Sequence, residues 1–125
     1  AVQNIKMSNG EGDMFSFGWA NEPMLDSYSI LLQVFKSKSD TAGVFNWGGW
    51  SYPEIDKLIT SASTEMDRNK RLAMQTSALK LVKDNLVMIP FHQQPVAGAT
   101  SDKVVSVVQQ SDNKARHWLT RMTDN

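Results

Sequence analysis

The residues able to do chemistry in this chain are few and scattered. There are two histidines, His92 and His117, and no cysteine. Neither histidine sits beside a serine, aspartate or metal-ligand spacing that would make a nucleophile and base pair. His92 follows an apolar run and has the makings of a ligand-facing donor, or of a polar residue satisfied by nearby backbone; His117 reads as a surface residue. The carboxylate pairs Glu11/Asp13 and Glu65/Asp67 lack a third ligand nearby, which argues for solvated turns over a metal site. Gly10, Gly12, Gly48 and Gly49 form neither GxGxxG nor a Walker pattern, so a phosphate cradle has no support. No catalytic residue, metal ligand or cofactor site is assigned.

What remains is the stretch 19–28, which gathers Trp19, Asn21, Glu22, Pro23, Asp26 and Tyr28. It falls between an aromatic segment and a helix start, where α/β proteins place ligand groups. That composition suits binding more than covalent chemistry. The same residues also have plain structural uses: Trp19 as core, Asp26 as a helix cap, Glu22 as a solvated charge. The seven methionines read mostly as core filler.

The elements around this stretch follow from periodicity. Residues 1–9 have weak helical character and end at Gly10-Glu11-Gly12. Residues 14–19, Met-Phe-Ser-Phe-Gly-Trp, predict a strand buried on both faces. Asp26 stands where it can cap a helix through Ser27, Ile30, Leu31, Val34 and Phe35. Residues 44–50 alternate aromatics with Asn46, Gly48 and Gly49, where backbone is expected to approach something closely.

A capping box, Ser51 to Glu54 with Pro53 in the first turn, predicts a helix whose apolar face carries Ile55, Leu58, Ile59 and Ala62. A second helix begins at Asp67 and carries Leu72, Leu79 and Val82 until residues 83–85, which makes a helical hairpin. Residues 86–91 with Pro90, then 95–100 and 104–108, predict strands. The expected class is mixed α and β in a single domain-like unit over 1–125, with no internal boundary.

Thirteen Lys and Arg balance thirteen Asp and Glu, so no net field draws the chain to nucleic acid or anionic lipid. The longest apolar runs fall far short of the ~20 residues of a membrane span. Residues 1–7 lack the cationic-then-apolar pattern of a signal peptide.

Five stretches then line up in order: 12–19 (Gly-Asp-Met-Phe-Ser-Phe-Gly-Trp), 45–56 (Phe-Asn-Trp-Gly-Gly-Trp-Ser-Tyr-Pro-Glu-Ile-Asp), 67–71 (Asp-Arg-Asn-Lys-Arg), 89–94 (Ile-Pro-Phe-His-Gln-Gln) and 101–104 (Ser-Asp-Lys-Val). Together they resemble the C-terminal part of family 5 extracellular solute-binding proteins, which serve ABC importers for peptides, glutathione or nickel. The resemblance implies an α/β fragment of a two-lobed, type II periplasmic-binding-protein-like fold, a mixed sheet with flanking helices. It implies a periplasmic carrier that captures a peptide or similar solute and delivers it to a membrane permease. Apolar surface meant for the missing lobe would then favour self-association.

In peptide-binding relatives an aspartate after the Gly-Trp strand pairs with the peptide amino group, as a desolvated ammonium requires. Here that loop is shorter, with no aspartate at the usual distance from Trp19, and Asp26 matches the later helix-capping acid. Glu22 or Asn21 takes its place, or the solute presents no free amine. The expected contacts are thus Trp19 as an apolar wall, Asn21, Glu22 or Asp26 as polar or charged partners, and Asn46 near the cleft. The competing readings are a small hydrolase built on His92 and a free-standing interaction module.

Overall fold

The computed structural model describes residues 2–21, 26–93, 95, 97–109 and 114–123. It divides into two compact units, Ala1–Ile89 and Pro90–Asn125.

The first unit is built on helices. Helix α1, Val2–Ser8, closes where Gly10 N–H donates to the Met7 carbonyl and Glu11 N–H to the Lys6 carbonyl, the paired bonds that end a helix in a Schellman turn. A short helix α2, Tyr28–Ile30, continues into a π-helical turn, Leu31–Phe35, closed by Lys36 N–H on the Leu31 carbonyl at 2.9 Å. Leu31, Val34 and Phe35 are all buried, so this turn drives three large apolar side chains into the core. Residues 28–35 are thus helical within the expected stretch, but with wider winding from Leu31 on.

Helices α3, Pro53–Thr64, and α4, Arg68–Asp84, form the expected hairpin. Pro53 opens α3, as its locked φ and missing N–H allow. The capping box does not form: the residue before Pro53 makes no side-chain cap bond, and Ser51 Oγ instead accepts from Ser37 Oγ at 2.9 Å. Asp56 is turned to another use, its Oδ1 accepting from Ser37 N–H at 2.8 Å. The loop after the π turn therefore holds what the cap would have held.

Asp67 does cap α4, accepting from Lys70 N–H at 2.9 Å. On α3 the expected face is the buried one, with Ile55, Ile59 and Ala62. On α4 Val82 is buried as expected and Leu79 half-buried, with Ala78 buried beside them; the departures are Leu72, which is 57% exposed, and Gln75, which is buried. Gln75 is tolerated there because Ser27 Oγ donates to its Oε1 at 2.8 Å. The core is one cluster of Leu31, Val34, Phe35, Ile55, Ile59, Ala78 and Val82.

The expected strand over residues 14–19 does not form: residues 14–20 carry no regular secondary structure, and no ladder partner lies alongside among the described residues. Nor is the segment buried on both faces. Phe15, Phe17 and Trp19 are half-buried while Met14, Ser16, Gly18 and Ala20 are exposed, the period of two that one covered face produces.

In the second unit, strand β1, Val104–Ser106, pairs antiparallel with strand β2, Arg121–Met122. The register sets Val104 against Met122 and Ser106 against Arg121, an irregularity of the kind a bulge produces. A 3-10 turn, His117–Leu119, precedes β2. The 104–108 expectation is met only in part, and β2 had no strand signal. The described residues of 86–91 and 95–100 form no strand. None of the described residues of this unit is buried.

Candidate functional site

The segment 14–20 and the loop after the π turn each place aromatics two residues apart, and the fold brings the two sets face to face. Phe15 and Phe17 meet the Trp47 ring edge-on at 5.5 and 5.6 Å between centroids. Phe45 meets Trp47 at 5.5 Å, and Trp19 meets Phe45 at 5.4 Å, both near perpendicular. Edge-to-face contacts of this kind pair a positive ring edge with a negative ring face, and each is worth about 1 kcal/mol beyond its buried area. The result is a continuous aromatic row that starts at Phe15 and ends at Trp19. Phe17, Trp19 and Phe45 also pack on the core, so the row is anchored to the helices.

At the Trp19 end the groups turn polar. Trp19 Nε1 donates to Asn21 Oδ1 at 3.1 Å, which fixes the indole and leaves the amide nitrogen of Asn21 without a partner among the described residues. Asp26 is occupied on both oxygens. Its Oδ1 accepts from Tyr28 N–H at 2.8 Å, and its Oδ2 lies 3.7 Å from the Arg71 guanidinium. The cap position falls on Ser27, which makes no side-chain cap bond, so Asp26 holds the first N–H of the helix from one residue earlier than expected and ties it to α4; with Arg71 42% exposed, the ion pair itself contributes little. Glu22 lies outside the described residues.

Asn46 is buried and works as a staple. Its Nδ2 donates to the Lys36 carbonyl at 3.1 Å and the Trp50 carbonyl at 2.7 Å, closing the loop from the π turn to the start of α3. Its Oδ1 and the Trp50 Nε1 are both buried without a hydrogen-bond partner. The Trp50 ring lies against Gly48, where the side-chain-free backbone gives it room, which is the close approach expected in this loop. In this conformation Asn46 is sealed from solvent, so it shapes the aromatic row by holding residues 45 and 47 in place.

The structure therefore brings Trp19 and Asn21 together, commits Asp26 to the helix start and Arg71, and puts Asn46 under the loop that carries Phe45 and Trp47. Sequence reasoning passed over Phe15, Phe17, Phe45 and Trp47 as a wall, and Arg71 as the partner of Asp26. The signal for the wall was present in the spacing of two in both segments; nothing local marks Arg71.

A groove of about 500 Å³ lies at the other end of the row, lined by Val2, Lys6, Met7, Glu11, Met14, Phe15 and Ser16. Of the expected contacts, the described ones, Trp19, Asn21, Asp26 and Asn46, do not line it. It is wide open to solvent, and the aromatic row is the better defined surface. His92 is exposed in an irregular segment and makes no hydrogen bond among the described residues, and His117 is exposed in the 3-10 turn. Among the described residues no three His, Cys, Asp or Glu side chains group as metal ligands, and no helix is long and apolar enough to cross a membrane.

Among known proteins, the chain is 25% identical over 99 residues to the "Probable di/tripeptide-binding protein 5" of Pseudomonas aeruginosa (strain UCBPP-PA14). The match covers 79% of this chain but only 18% of that protein. That relative is a binding protein by its name. No family model matches the chain, and no solved structure does.

Proposed function

We propose that this chain is the C-terminal part of the substrate-binding component of an ABC importer. It captures a peptide or similar small solute outside the cytoplasm, in the periplasm, and presents it to the membrane permease. The similarity over 99 residues to a di/tripeptide-binding protein carries the reading. The site chemistry agrees with it: an aromatic row that ends in an indole and a primary amide suits an apolar side chain beside a polar peptide group.

In this reading Trp19 is the apolar wall and Asn21 supplies a donor through its amide nitrogen, unpartnered among the described residues. Asp26 acts only indirectly, because its carboxylate is already divided between the helix start and Arg71. The remaining charge partner for a peptide ammonium is Glu22. The chain belongs to one lobe of a two-lobed type II fold, α and β mixed, and the second lobe closes on the solute to exclude water.

The test uses the full-length protein that carries this chain, in a thermal-shift screen against dipeptide and tripeptide pools. A solute present at about 100 times its Kd stabilises the protein by roughly 2.7 kcal/mol, which is a clear rise in Tm. Trp19→Ala should abolish most of that rise, read against the variant's own unliganded Tm, which the lost packing on the core also lowers. No shift with any peptide pool refutes the peptide reading.

A further inference from the structure

The step Asn9-Gly10 is the one place in the sequence where an asparagine precedes glycine. That dipeptide has a chemistry of its own. The asparagine side-chain carbonyl lies within reach of the next backbone nitrogen, and glycine puts no side chain in the way. Here the approach is open: Asn9 is exposed, and a Cβ on Gly10, at φ 74°, would meet nothing within 4 Å. Other asparagines are better guarded. Asn46 is sealed with its Nδ2 donating twice, and Asn85 Nδ2 is held by the Leu81 carbonyl at 2.8 Å.

We propose that Asn9 is a site of spontaneous deamidation and that the product releases the end of α1. The Gly10 nitrogen gives up its proton and attacks the Asn9 side-chain carbonyl carbon. A C–N bond forms, the bond to Nδ2 breaks, and the amide nitrogen leaves with the proton as ammonia. Water then opens the cyclic imide at either carbonyl and leaves aspartate or isoaspartate at position 9. Nothing is oxidised or reduced.

The helix end sets the rate. Gly10 N–H donates to the Met7 carbonyl at 3.0 Å, and the nitrogen is free to react only when that bond opens. Opening is easy here. Helix α1 has seven residues, short of the ~12–15 an isolated helix needs, and Met7 is the only buried side chain among its described residues. Such an end frays without unfolding the core.

The product works against the turn that made it. Asn9 Nδ2 donates to Glu11 Oε1 at 3.4 Å, so a carboxylate at position 9 replaces that bond by like-charge repulsion. It also adds negative charge at the helix C-terminus, where the backbone dipole is already negative. Isoaspartate further inserts a methylene into the main chain of the turn closed by the Gly10 and Glu11 N–H groups.

The test ages the 125-residue chain in mildly alkaline buffer, native and in urea, and locates the new acid by peptide fragmentation and isoaspartate methyltransferase labelling. Acid should appear at position 9 before any other asparagine. Urea should speed it by less than about a hundredfold, because a frayed end is readily reached whereas global unfolding is a thousandfold or more rarer. Asn9→Gln should lose this fast component with its far-UV circular dichroism unchanged. Limited trypsin digestion reads the consequence: the aged chain should be cut after Lys6, inside α1, several-fold faster than the fresh chain, and Asn9→Asp should reproduce part of the gain. Another asparagine converting first overturns the site, and a larger acceleration in urea overturns the fraying route. An aged chain cut after Lys6 no faster than a fresh one overturns the release of the helix.

Discussion

The Asn46 staple allows a sharp test of how the aromatic loop is held. Asn46→Asp keeps the size and shape of the side chain but replaces the donating nitrogen by an oxygen. Two carbonyls, of Lys36 and Trp50, lose donors at 3.1 and 2.7 Å and instead face a carboxylate in a buried site. Each lost bond costs about 1 kcal/mol net, and leaving buried acceptors unpaired beside a charge adds about 1–3 kcal/mol. The loss should reach about 3–4 kcal/mol at neutral pH, or roughly 10 °C or more in Tm. Asn46→Ala should cost less, about 2 kcal/mol, because it also removes the unpartnered Oδ1 acceptor.

Acid separates the two variants. Protonation gives the carboxyl one donor, so N46D should recover part of its stability as the pH falls while N46A does not. Urea denaturation followed by far-UV circular dichroism measures both. An N46D chain within about 0.5 kcal/mol of the unmodified one would refute the staple, since that is the effect of an ordinary surface change.

Three further outcomes follow from the packing. Ile59, fully buried between the helices of the hairpin, should cost about 2–5 kcal/mol as Ile59→Ala in the same denaturation experiment. Asp67→Ala should cost about 1 kcal/mol through the lost bond to Lys70 N–H, and Asp67→Asn should recover most of it. Gly43 and Gly49 both have positive φ, at 63° and 67°. Only at Gly43 would a Cβ meet backbone, with the Ser37 carbonyl at 2.8 Å, while Gly49 has nothing within 4 Å. Thermal melts should therefore show Gly43→Ala more destabilising than Gly49→Ala, whose cost stays near the roughly 1–2 kcal/mol of the backbone conformation alone.

The helices were legible because their signals are local. The i, i+3, i+4 spacing of Ile55, Leu58, Ile59 and Ala62 defines a face without reference to any partner, and Asp67 caps the chain that follows it. Ser51 misled for the opposite reason: its sequence position suits a cap, but Ser37 from a separate loop takes the hydroxyl. The buried stripe of α4 was misread at Leu72 because Gln75 is a poor core residue on composition alone. Its burial depends on Ser27, 48 positions away in the chain.

The same division runs through the site. Composition alone marked the stretch from Trp19 to Tyr28 as suited to binding, and the spacing of two in residues 15–19 and 45–47 was there to be seen. In residues 15–19 that spacing matches the alternation of half-buried and exposed side chains, whereas residues 45 and 47 lie in turns, where only the fold sets which way they face. Only the tertiary structure decided that the two aromatic sets meet, that Asp26 is claimed by Arg71, and that Asn46 is sealed beneath its loop. Contacts between distant segments depend on how the chain folds back, which no local pattern records. Residues 14–20 belong to both sides of this boundary: the alternation of aromatic and small residues is written in the sequence, but the strand it suggests does not form, because pairing depends on a neighbour that only the fold can supply.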